Sequence, residues 1–386
     1  MTTNATASPA ATVPAPTAGG PPPGFASQYV VNADAALEAP FKGVTADGAV
    51  IPGLYPLAST GVSTEPIREA AAAYLASLTP YQRRKTEFAV DAREWRIWSN
   101  IHPPLMRHGL PIFEMLPAQR DAAHNLLRAS LSVQGWETAR DVMRLNWTVA
   151  EMTGKFDEYG EGQYWLSIMG TPSADAPWGW QLDGHHCIIN YFVLGDQVTM
   201  TPCFLGSEPV FAGEGKYAGT RVFHAEEQRG LELMRSLDGG QQAKAVIGEE
   251  LPPDVFTTAF RDNFELRYQG VNHTELTGPQ QRLLWDVVET YAGRLRPGHA
   301  DVRLAEVRRH LDDTHFAWIG GSGDTDVFYY RVHSPVILIE FDHQRGVAFR
   351  GTPTSRNHIH SVVRTPNGND YGRDLLRQHY ERSHRR

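Results

Sequence analysis

The sequence predicts an α+β fold: one large domain with helices packed on a mainly antiparallel sheet that carries a histidine metal site. Three observations point to it. Apolar residues recur at helical spacing from about residue 64 to 155. From about 163 the pattern shifts to short β-branched and aromatic runs bounded by turn residues. After a second helical block, such runs return between His315 and Arg364. The 386 residues, 41% of them hydrophobic and 21% charged, suffice for a large core.

Residues 1–27 form an Ala/Pro/Thr/Gly tract with neither a basic nor an apolar region of a signal peptide. They bury too little surface to fold and are expected to be a disordered leader, leaving 28–386 as the folded domain. Ser63-Thr64-Glu65-Pro66 caps a first helix, and Thr79-Pro80 starts a second that runs on past Trp95 and Trp98. A loop is expected at Pro103-Pro104, a third helix at 117–134, and a fourth from Thr138. Strands follow at Tyr164–Gly170, Trp178–Leu182, His186–Leu194 and Gln197–Phe204, the last two joined by a Gly195-Asp196 turn. Residues 205–225 read as a Gly-rich loop, then helices at 222–236, 238–248, 278–296 and 300–311. Strands at His315–Gly320, Val327–Val332, Pro335–Asp342 and His358–Arg364 precede a terminal helix from Tyr371 to about His384. No internal repeat is read from the sequence.

Net charge of -8 argues against a general nucleic-acid partner. No run approaches the roughly 18 apolar residues of a membrane span. The two cysteines, Cys187 and Cys203, fall in predicted strands and read as buried free thiols, which fits a cytoplasmic location. Phosphate-binding loops, dinucleotide fingerprints, the nucleophile elbow and the helical two-histidine zinc-protease motif are all missing from the sequence. What remains is metal chemistry.

His358 and His360 stand at i and i+2 of a predicted strand, so both project to one face and can bind one metal. His185 and His186 are adjacent and face opposite ways on a strand, so one of them joins that site. His186 is favoured over His185 as the third ligand, the other histidine then supporting a ligand from behind or lining the substrate pocket. Glu340 ends an apolar strand, where a carboxylate is costly unless paired or metal-bound. It is read as a fourth ligand, a general base or a partner orienting a histidine, with Glu208 the next carboxylate to consider. The bland reading pairs Glu340 with Arg331 or Arg364. Those two arginines otherwise suit a clamp on a substrate carboxylate, and Arg364 also suits an ion pair with Asp370. Trp178 and Trp180 read as core.

Trp178-Gly-Trp180, Gly184-His185-His186, Asn190, Tyr329-Tyr-Arg331, Pro335, Ile339-Glu340-Phe341, His358-Ile-His360, Arg364 and Asp370-Tyr-Gly372 together resemble a family catalogued as domain of unknown function 3500. Glu94-Trp95-Arg96 and Ser99-Asn100 are similar too. The resemblance covers about 60 to 384 and implies one shared site, but no reaction. The function expected is a metal-dependent enzyme with a mononuclear histidine site, zinc favoured, activating water to hydrolyse a small organic molecule. Iron or copper acting on dioxygen is the alternative, and a non-catalytic metal- or ligand-binding protein is a third reading. The sequence leaves open a homo-oligomer.

Overall fold

The computed structural model describes residues 33–100, 107–349 and 351–383. The expected leader, the Pro103-Pro104 loop and His384 lie outside the described residues. Helix α1 (Glu65–Ser77) has Pro66 in its first turn, and α2 (Pro80–Thr86) is held by a capping box in which Thr79 and Gln82 satisfy each other's backbone amides. The helix expected to run past Trp95 stops at Thr86. Glu87-Phe88 instead pairs with the sheet, and Trp95 and Trp98 bury completely in the core. Next come α3 (Pro117–Ser130) and α4 (Val133–Thr153), separated where Ser132 caps the second by accepting from Gly135 N at 3.0 Å. The later helices are α5 (His224–Ser236), α6 (Gly239–Ala245), α7 (Gly278–Ala292), α8 (His299–Arg308) and α9 (Arg373–Ser383). Among the described residues no helix is long and apolar enough to cross a membrane.

The eight long strands are β1 (Tyr164–Met169), β2 (Trp178–Gly184), β3 (Cys187–Leu194), β4 (Cys203–Ser207), β5 (His315–Gly320), β6 (Phe328–His333), β7 (Leu338–His343) and β8 (Ile359–Arg364). They form one open, mostly antiparallel sheet in the order β1-β2-β3-β4-β8-β7-β6-β5. The expected loop at 205–225 begins late, because Leu205 to Ser207 pair with β8. That pairing is the central seam, with Ser207 opposite Ile359 and Cys203 opposite Val363.

The seam joins two halves built to one plan, contrary to the expectation of no internal repeat. Each half runs through helices, a short parallel pairing on its first long strand, a short antiparallel pairing on the same strand, more helices, and a four-stranded meander. The interior contacts repeat as well. Gln82 bonds Gln119 at 3.1 Å, and Gln241 bonds Gln280 at 3.0 Å. Trp180 stacks on Tyr191 at 5.3 Å and donates to Ser130; Tyr330 stacks on Phe341 at 4.9 Å and bonds Tyr291. Gly109 and Gly270 both have positive φ, and a Cβ at either would stand under 3 Å from a strand carbonyl, Leu166 O or Phe316 O. The repeat escapes a sequence reading because the shared residues, two glutamines and a glycine in each half, are scattered, while other equivalent places differ, Trp against Tyr and Ser against Tyr.

Side chains alternate across the sheet. On β7, Ile339, Phe341 and His343 face the helices, where His343 Nε2 meets Glu227 of α5 at 2.9 Å. Glu340 and Asp342 face the other way, under loops 93–100 and 252–270. Polar residues gather on that loop-covered face, and the histidine cluster lies there.

Candidate metal centre

His185 and His186 are not strand residues. They form the two-residue turn between β2 and β3, with Leu182 opposite Ile189 just behind them. The strand-parity argument therefore does not apply to them. His186 takes a left-handed φ of 60°, and the two rings stack with centroids 3.9 Å apart. His185 turns to helix α4, its Nδ1 2.8 Å from Asn146 Oδ1, while His186 reaches over the seam. The matching turn of the second half is Pro335-Val336, so these histidines belong to one half only.

His358 and His360 project to one face of the sheet, as their spacing predicts. Their Nε2 atoms are 3.0 Å apart, and His186 Nε2 lies 3.3 Å from His358 Nε2 and 3.1 Å from His360 Nε2. Three nitrogens at about 2.0–2.1 Å from one tetrahedral zinc ion would stand roughly 3.3 Å from each other. The triangle is thus a ready-made face of such a site. Gly206 sits opposite His360, and a Cβ there would be 2.9 Å from His360 Cδ2 and 3.2 Å from His186 Cδ2. Only a glycine leaves the rings this close.

The other ring nitrogens decide what the triangle presents. His358 Nδ1 is 2.7 Å from Arg345 O, a pure acceptor, so Nδ1 carries the proton. His360 Nδ1 is 2.8 Å from Asp254 Oδ1, and it donates there as well. In neutral rings both Nε2 atoms then carry bare lone pairs. Burial, followed by the neighbouring His360, pushes the His358 imidazole down to about 3, so it is neutral at physiological pH. Two lone pairs at 3.0 Å repel unless a cation lies between them. Contacts from Arg345 O and Asp254 are the kind that fix tautomer and orientation in metal-bound histidines.

The chain matches, over residues 60–373, the family described as Protein of unknown function (DUF3500). It belongs to that family. Neither a curated protein nor a solved structure matches it.

In this DUF3500 chain the other expected site residues fall elsewhere. Glu340 is fully buried, but its carboxylate is not among the ligand atoms that converge with the histidines. It accepts from Phe256 N at 2.8 Å, Thr257 N at 2.9 Å, Thr257 Oγ1 at 2.5 Å and Tyr329 OH at 2.7 Å. Those donors stabilise the charge that an isolated reading assigned to a metal or an arginine. Arg364 spends its donors on Thr257 O, Thr258 O, Asp262 at 3.0 Å and the foreseen partner Asp370 at 2.9 Å. Arg331 donates to Gln269 Oε1 at 3.0 Å. Neither arginine reaches a substrate-clamping pair with the other in these contacts. Glu208 lies closer to the histidines than Glu340 does: its Oε2 is 3.6 Å from His358 Nδ1 while it accepts from Val347 N and Ala348 N. Burial raises its carboxyl above the usual range.

Sequence reasoning missed two carboxylates. Asp254, Asp342 and His360 form a second group of ligand atoms within 4.8 Å of one another. Asp342 is fully buried, with hydrogen bonds from Gln344 and from the His360 backbone; burial, followed by Asp254 and Glu340, pushes its carboxyl well above the usual range. Its place two residues after Glu340 on one strand face was a usable signal. Asp254, after Pro252-Pro253, gave none, because the loop reaches His360 only through the fold.

Two outcomes follow here. Asp254→Asn removes the charge behind His360 but keeps its shape, so metal affinity should fall about 10–100-fold with the melting temperature of the metal-free protein little changed. Competition with a chromophoric chelator measures it. Metal-free protein should also lose stability as pH falls. The unfolded chain takes a proton on this histidine near pH 6.5, whereas folded His358 resists until about 3. Between these values unfolding is favoured by up to about 1.4 kcal/mol per pH unit, with no contribution from His358 above pH 6.5. Urea melts from pH 7 to 4, with His358→Asn flattening the slope, check it.

Proposed function

We propose that this DUF3500 chain is a metal-dependent enzyme in which His186, His358 and His360 hold one zinc ion, and that it hydrolyses a small organic molecule. The observation that carries the reading is the trio of Nε2 atoms within 3.0–3.3 Å, two of them bare by their other hydrogen bonds. Zinc held by three imidazoles supplies a nucleophilic hydroxide near neutral pH. The chain's own contribution is orientation. Arg345 O fixes the His358 ring, Asp254 fixes His360, and the β2–β3 turn sets His186. Glu208, its carboxyl raised by burial, stands beside His358 as a group able to hold a proton.

The redox alternative rests on a different donor set. A facial site of two histidines and one carboxylate needs a carboxylate oxygen among the convergent atoms. Of the two convergent groups among the described residues, the three Nε2 atoms are all histidine, which favours zinc, whereas the second joins His360 to two carboxylates, Asp254 and Asp342, rather than two histidines to one. Cys187 and Cys203 are buried free thiols, in keeping with a cytoplasmic setting.

The test is elemental analysis of tag-free protein, followed by a panel of chromogenic esters. Colourless protein with one zinc per chain, and hydrolysis abolished by a chelator and restored by zinc, is expected. Stoichiometric iron or copper with dioxygen uptake would replace this reading with the oxygenase. Bound zinc with no turnover across esters, amides and lactones would leave a binding protein.

A further inference from the structure

On the sheet face away from the histidines lies a cavity of about 370 Å³, within the range of small-molecule sites. It is placed by strand alternation: Val363 and Cys203, the last pair of the seam, line it, whereas His360 on the same strand points to the opposite face. Met200, Leu295, Ile337 and Leu375 make most of the remaining wall apolar.

One group in this wall, Arg294, pairs with Glu226 and lies over the Tyr291 ring, yet keeps unmet donors. Arg294 is 2% exposed, and its Nη2 donates to Glu226 Oε1 at 2.5 Å. Its Nε and Nη1 are buried with no hydrogen-bond partner among the described residues. Leaving buried guanidinium donors unmet costs free energy, the more so for a charged group. At the rim stands Arg309, exposed and with no carboxylate within ion-pair distance among the described residues. The charge runs one way: an inner arginine with spare donors, a rim arginine without a partner, and one lining carboxylate, Glu306, already bonded to Arg303. The Cys203 thiol, raised by burial to about 11, supplies no nucleophile, so the chemistry is that of binding.

We propose that this cavity is a second ligand site, separate from the metal centre, for a small monocarboxylic acid with an apolar body. Arg294 Nε and Nη1 are closed off from the cavity in the unliganded chain, and on binding the guanidinium turns them to the carboxylate while the apolar part lies against Met200, Ile337 and Val363.

The experiment is calorimetric titration of the full, metal-loaded chain with hexanoate and benzoate, and with hexanamide and benzamide as neutral matches. Both acids should bind, with the amides weaker by about tenfold, the loss of a charge-assisted contact. Val302→Trp fills the mouth from a position that is 37% exposed, so folding is kept while binding is lost. Arg294→Lys keeps a charge for Glu226 but removes the spare donors, and should weaken the acids about tenfold. Removing the metal should leave their affinity unchanged. No heat from either acid at about 10 mM, equal binding of acid and amide, or unaltered binding in Val302→Trp would each overturn the proposal. So would binding that vanishes with the metal, since that places the acid at the histidines.

Discussion

A His358→Ala/His360→Ala protein should purify with essentially no metal, against one equivalent per chain in the native protein. Two of three convergent nitrogens are lost, and the remaining His186 cannot hold a transition metal alone. Each single change should leave well under one equivalent. The fold should survive, because these side chains sit at one end of the seam and the β4–β8 pairing is carried by backbone. Native protein should lose its metal-dependent increment of stability on chelation, about 2.7 kcal/mol for a site saturated at a hundredfold over its dissociation constant. The double variant should show none. Elemental analysis with paired thermal melts reads both quantities. Full metal retention in the double variant would remove the basis of the proposed function.

Glu340→Gln should act on stability rather than on metal. Its carboxylate collects four donors, two of them backbone amides of Phe256 and Thr257. The amide of glutamine can accept at one end only and would press an N–H against one of those donors. The residue is fully buried, so the unmet donors are not rescued by solvent, and a loss of about 2–4 kcal/mol is expected. The same loop carries Asp254 two residues earlier, so a secondary, smaller loss of metal affinity should follow through His360. Denaturant melts and metal titration separate the two effects. If metal content collapsed while the melt stayed native, Glu340 would be a ligand after all.

How far the sequence reached varies with the physics involved. Starts such as Thr79-Pro80 and Pro66 were readable because capping is local, and β-branched runs marked the eight long strands. The His358/His360 pair was readable because strand periodicity is a backbone property. The His185-His186 turn was misplaced by one or two residues, enough to invalidate the parity argument about which ring joins the site. Glu340 drew attention because a carboxylate in an apolar strand must be compensated, but what compensates it is a loop more than eighty positions away in sequence. The repeat stayed hidden because the contacts recur while only scattered residues, such as the paired glutamines, keep their type.

The sequence by itself determined the α+β class, the two blocks of helices and strands, the buried thiols, and two histidines sharing a strand face; each follows from near-neighbour sterics and hydrophobic period. The tertiary structure alone decided that His186 completes the triangle, that Asp254 and Arg345 O turn bare nitrogens toward it, that Glu340 and Arg364 brace loops, and that Arg294 faces a cavity on the far side. Those outcomes depend on pairings across the seam between distant segments, and no local preference of the chain encodes which distant group arrives.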